Sequence, residues 1–193
     1  VSEDRYVTAF DLDENGARGE TKNKPSGAVQ PAQTVTTGVK RVNAQANANN
    51  KGAGIGVAVI DTGISLSHPD LAANIVNTTC IAGTFSGNDD NGHGSHVAGT
   101  IAALDNAIGV VGVAPQAKLI AVKVLNRNGS GTWSSVICGI DWVTAHAAQY
   151  NIKVANMSLG GSGTSDNKCG ATNSDALHAA ICRSRDAGVT YAV

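Results

Sequence analysis

The sequence has no stretch near the roughly 20 consecutive apolar residues that a membrane-spanning helix needs, and it has no run of basic residues. With a formal net charge of −1 it offers no electrostatic footprint for nucleic acid or for an anionic membrane. Charged residues make up only 15% and hydrophobic residues 42%, which excludes a disordered chain. Aromatic residues are scarce at 4% while glycines number 23, so tight turns and close backbone packing are expected instead of aromatic bulk. No pair of cysteines has the CxxC spacing of a zinc site. Methionine occurs once, at Met157, so the chain is expected to be a processed piece whose signal peptide is gone.

What is present fits one domain large enough to bury a core. The four cysteines, Cys80, Cys138, Cys169 and Cys182, are even in number and suggest two disulfides formed in an oxidising compartment. Of the three connectivities, Cys80–Cys138 with Cys169–Cys182 is preferred; the plainer alternative makes Cys138 a buried thiol among Val136, Ile137 and Ile140. Residues 1–31 are polar, charged and without periodicity, and read as a loop or linker before a domain at 32–193.

From about residue 32, strand and helix patterns alternate. Apolar runs at 55–60, 118–125 and 152–157 predict buried strands, and the terminal run 189–193 predicts a further buried one. Helical spacing follows His93, recurs from Trp133 to Val143, and again from Asp175 to Asp186. This alternation predicts an α/β fold, a doubly wound parallel sheet with helices on both faces. Ligands of such sheets bind at the carboxyl ends of strands.

Asp61 lies at such an end, and His93 opens a helix inside Asn91-Gly92-His93-Gly94-Ser95-His96. A neutral imidazole serves as a general base when a buried carboxylate fixes its tautomer and ring angle. Either residue alone is a weak signal. Together with Val59-Ile60-Asp61-Thr62-Gly63-Ile64, His68-Pro69-Asp70-Leu71, Gly112-Val113-Ala114-Pro115, Val122-Lys123-Val124-Leu125 and Asn156-Met157-Ser158-Leu159-Gly160-Gly161, the series resembles subtilisin-like serine proteases in order and spacing. The resemblance runs from about Ala32 to the last residue.

The resemblance implies a secreted endopeptidase in which Asp61 orients His93, the general base. It implies that Gly129-Ser130-Gly131 and Ser158-Leu159-Gly160 clamp an extended peptide by adding it as a strand. Trp133, Val136 and Leu159 then form an apolar pocket for one substrate side chain. It also implies a structural calcium ion held by the Leu104, Ile108 and Val110 carbonyls with Asn106, Asp70 and Gln33. Residues 1–7 resemble the tail of an inhibitory propeptide, so the chain is expected to belong to a zymogen.

The departure lies at the nucleophile. The family's Gly-Thr-Ser-Met-Ala segment and its oxyanion asparagine do not occur in these 193 residues. The expected partner is therefore a C-terminal complement carrying the catalytic serine, and the chain alone is expected to be inactive. The alternative is an inert fragment that keeps only peptide- and calcium-binding parts. A further calcium candidate, Asp11 to Gly16, matches the first half of an EF-hand loop but has Lys22 at the twelfth position, so a solvated loop is preferred.

Overall fold

The structure is a computed structural model describing residues 4–9, 31–46, 49–80 and 86–193, with backbone alone for 77–80. Its centre is a five-stranded sheet. The strands are β3 (Gly56–Asp61), β4 (Ile75–Cys80), β6 (Lys118–Lys123), β8 (Ile152–Asn156) and β10 (Thr190–Ala192), in the order β10-β8-β3-β6-β4. Every neighbouring pair is parallel. The helices are α1 (Thr37–Arg41), α2 (His93–Ala102), α3 (Trp133–His146) and α4 (Ala176–Asp186). A two-stranded pair, β2 (Thr34–Val35) with β5 (Val110–Val111), lies apart from that sheet.

The period-2 alternation of strand side chains divides the core into two layers. Ala58, Ile60, Ile120 and Val122 pack with Val136, Ile140 and Val143 of α3 and Ala180 of α4. Val57, Val59, Leu119 and Ala121 pack with Ala98 and Ala102 of α2. Strands covered on both faces explain why β3 and β6 read as continuous apolar runs. Asp175 caps α4 by accepting from the amides of Leu177 and His178, both at 3.0 Å. The expected α/β architecture is the one found.

Three details differ from the sequence reading. Residues 6–9, read as loop, form β1 (Tyr6–Ala9), the middle strand of a second sheet ordered β7-β1-β9, with β7 at Ser130–Thr132 and β9 at Leu159–Gly160. The terminal strand β10 is not buried: it lies at a sheet edge with Thr190 and Ala192 exposed. The expected Cys80–Cys138 disulfide does not form, because Cys138 is an exposed free thiol. It sits two residues after Val136 and two before Ile140, about 200° around the helix from either, and so points away from the core. Cys138 is thus not the buried thiol of the alternative either. The Cys169–Cys182 bridge is formed, and it ties the segment before α4 to the helix itself.

Candidate active site

Asp61 ends β3 at the carboxyl edge of the sheet and is fully buried. Its backbone carbonyl accepts from the amides of Val124 and Leu125 at 2.9 and 3.1 Å, which fixes the strand end against the segment following β6. The carboxylate accepts from the Thr62 amide at 2.7 Å and from His93 Nδ1, at 2.8 Å to Oδ1 and 3.0 Å to Oδ2. With Nδ1–H turned to Asp61, Nε2 lies on the opposite side of a ring whose side chain is 18% exposed. The two residues expected to form an orienting pair are therefore in contact.

The local backbone explains that contact. Gly92, with φ +110°, ends the loop before α2 in a conformation that L side chains rarely adopt. Gly94 packs against the Gly63 carbonyl so closely that an added Cβ would overlap it. Its amide donates to the Thr62 hydroxyl at 2.9 Å, stitching α2 to the turn after β3.

Two residues to which sequence reasoning gave no role hold this turn. Asp89 accepts from the Asn91, Gly92 and Ser95 amides at 3.0, 2.9 and 2.9 Å, and from the Ser95 and Thr62 hydroxyls at 2.6 and 2.8 Å. Burial alone pushes the Asp89 carboxyl upward, but the hydrogen bonds from Gly92, Ser95 and Asn91 outweigh it and hold its pKa below the ordinary value. Lys123 is fully buried at the end of β6; its ammonium donates to the Thr62 carbonyl and pairs with Asp90 at 2.6 Å. A lysine in an apolar run signals such a role only once a partner can be named, and Asp90 is 33 residues away.

The expected clamp segments face each other across β1. Tyr6, Val7 and Thr8 pair antiparallel with Thr132, Gly131 and Ser130, and Thr8 and Ala9 with Gly160 and Leu159. The Ala9 amide donates to the Gly129 carbonyl at 2.8 Å. Val7 is buried in one cluster with Val136 and Leu159, and Trp133 packs on its border. The three expected pocket residues thus belong to one cluster with the chain's own Val7. Ser158 bonds Asn156 at 2.9 Å beside β9. Gly129 adjoins both Ala9 and the Asn91 carboxamide, so the Ala9 end of β1 lies on the side of the loop that carries His93.

The residues expected to hold calcium also gather. Asp70, 3% exposed, accepts from the Val110 amide at 3.1 Å and the Asn106 carboxamide at 2.9 Å. Gln33 Oε1 accepts from the Asn106 amide at 2.6 Å, and Asn106 Oδ1 from the Ile108 amide at 2.8 Å. Leu104 is tied to the Asp70 carbonyl at 3.0 Å. Gly109, at φ +63°, leaves room for the Asp70 carboxylate, which a Cβ would block. This donor set is all oxygen, as a hard cation requires. Among the described residues no three His, Cys, Asp or Glu side chains cluster as a metal site. The Asp11–Gly16 candidate lies outside the described residues.

Among the described residues no helix is long and apolar enough to cross a membrane. Comparison with known proteins agrees with the site. A family profile described as "Subtilase family" matches residues 52–193. Subtilisin DY of Bacillus licheniformis is 50% identical over 133 residues, 67% of this chain and 46% of its own length. The thermostable alkaline protease of Halalkalibacterium halodurans is 47% identical over 161 residues, 82% of this chain and 40% of its own. Subtilisin E of Bacillus subtilis is 40% identical over 200 aligned positions, 97% of this chain and 49% of its own. The chain spans less than half the length of each of these relatives. A match over most of the chain, with a buried aspartate holding a helix-start histidine, makes this protein a member of the subtilase family.

Proposed function

We propose that this chain is the Asp- and His-bearing part of a secreted serine endopeptidase made as a zymogen. The observation carrying the reading is the Asp61–His93 contact at the end of a groove already occupied by an antiparallel strand. In the proposed reaction Asp61 keeps the proton on Nδ1, so Nε2 accepts the proton of a serine hydroxyl as its oxygen attacks the peptide carbonyl. The resulting imidazolium, stabilised by Asp61, returns that proton to the leaving amine, and an acyl-enzyme remains for water to hydrolyse. The serine and the oxyanion asparagine come from a C-terminal complement outside these 193 residues.

Residues 129–131 and 158–160 bind substrate by strand addition, and the pocket of Trp133, Val136 and Leu159 takes an apolar side chain. Residues 1–31 comprise a propeptide tail, residues 1–7, and a linker, and the paired strand β1 lies in that groove as a substrate would. Gln33, Asp70, Leu104, Asn106, Ile108 and Val110 would hold a calcium ion, whose charge would tie the loop joining α2 to β5 to the rest of the fold.

Peptide hydrolysis by the whole protein tests the reading. Asp61→Asn is expected to lower kcat about 10⁴-fold, the typical size for the loss of an orienting carboxylate, with KM little changed. Activity unchanged by that substitution contradicts the reading. No hydrolysis by the unaltered whole protein would leave a fragment that binds peptides without cleaving them.

A further inference from the structure

The groove continues past the Val7 pocket, in the direction away from His93. Strand alternation sends Val7 inward and leaves Tyr6 81% exposed. Arg5, two residues before Val7 and exposed, lays its guanidinium 5.5 Å from the centre of the Trp133 ring. The same guanidinium donates to the Ser162 carbonyl at 3.0 Å. The Arg5 carbonyl accepts from the Trp133 amide at 2.9 Å, which fixes the register. Beside it opens a cavity of about 500 Å³ whose wall includes Trp133, Ser162, Asn173 and Asp175. One residue further out, Asp4 accepts from the Ser134 amide at 2.9 Å and hydroxyl at 2.7 Å. Both charged side chains of this segment therefore meet partners of matching chemistry outside the apolar pocket.

We propose that the peptide groove extends to a cation subsite, formed by the Trp133 ring face and the Ser162 carbonyl, followed by a carboxylate subsite at Ser134. Its preferred ligand is a peptide reading acidic, basic, any, apolar, with the apolar residue in the Val7 position. The inference rests on the reading of this groove as the peptide-binding site. A cation over an indole face gains from the ring quadrupole, and a guanidinium on a carbonyl makes a charge-assisted hydrogen bond. Neither contact is available to a neutral side chain at that position.

The test uses the 193-residue chain carrying Val7→Asp, whose own segment no longer suits the pocket. It is titrated by fluorescence anisotropy with labelled peptides of residues 2–9. The parent peptide is expected to bind roughly 5-fold or more tightly than its Arg5→Ala form, with the Arg5→Lys form between them. Adding Trp133→Leu to the chain should erase most of that difference. Equal binding of the parent and Arg5→Ala peptides, while a Val7→Asp peptide fails to bind, overturns the cation subsite and leaves the groove standing. No binding by any peptide to a chain of native circular dichroism overturns the groove reading and the subsite together. If Val7→Asp prevents folding, hydrogen exchange of the Trp133 amide in the otherwise unaltered chain decides. Arg5→Ala should accelerate it several-fold, and unchanged exchange contradicts the proposal.

Discussion

Asp89 shows how one side chain can hold a site it does not belong to. Its carboxylate joins the Thr62 hydroxyl to the amides preceding and opening α2, so it fixes the distance between the β3 end and His93. Because its folded pKa is depressed, its contribution to stability is present above the ordinary carboxylate range near 4 and is lost as pH falls through the lower folded value. Asp89→Asn should therefore flatten the acid limb of the stability–pH profile while lowering stability at neutral pH. A profile that keeps its full acid slope in that variant would remove Asp89 from this role. Cys138 offers a simpler check at the same scale. As an exposed thiol it should be alkylated in the native protein without reductant, with the label mapped to that residue. A Cys138 that stays unlabelled until reduction would restore the discarded disulfide.

Among elements, α2 and the turn after β3 are packed backbone to backbone. Gly94→Ala would force a methyl group against the Gly63 carbonyl, the Thr62 hydroxyl and the Asp61 carboxylate. Overpacking of this kind costs about 1–3 kcal/mol, and thermal melting should show the loss; an unchanged melting temperature would mean that the helix start yields freely. What the sequence disclosed of these elements follows from how each is stabilised. β3 and β6 are covered by helices, so their apolar runs could be read directly, and α4 announced itself through Asp175 and its periodicity. β1 has only a brief signal, the strand formers Tyr6, Val7 and Thr8 inside a polar stretch. What makes them a strand is pairing with β7 and β9 on either side, a tertiary cause. β4, with Asn77, Thr78 and Thr79 in its middle, was hidden by polarity. Cys138 was legible, since the spacing of Val136, Ile140 and Val143 already turned it outward, but the even cysteine count outweighed that periodicity. Asp61 and His93 stood out because their flanking glycines are needed for the turn itself, whereas Asp89 and Lys123 act through partners distant in sequence.

Across the whole molecule, the parallel sheet brings to one edge the Asp61–His93 pair and the strand-pairing groove, while the loop proposed for calcium joins α2 to β5. Gln33 reaches that loop from before β2, and Lys51 braces it through Asp105 at 2.7 Å, so a cation there would tie distant segments together. Chelation should lower the melting temperature of the protein, and Asp70→Asn should remove most of that sensitivity. A melting temperature indifferent to chelator would contradict the calcium proposal. The central claim, that Asp61 and His93 serve a serine outside these residues, is tested most directly by fluorophosphonate labelling of the whole protein followed by peptide mass mapping. The label is expected on one serine beyond residue 193 and is expected to disappear with His93→Ala. A label on a serine within residues 1–193, or one that persists without His93, would contradict the account.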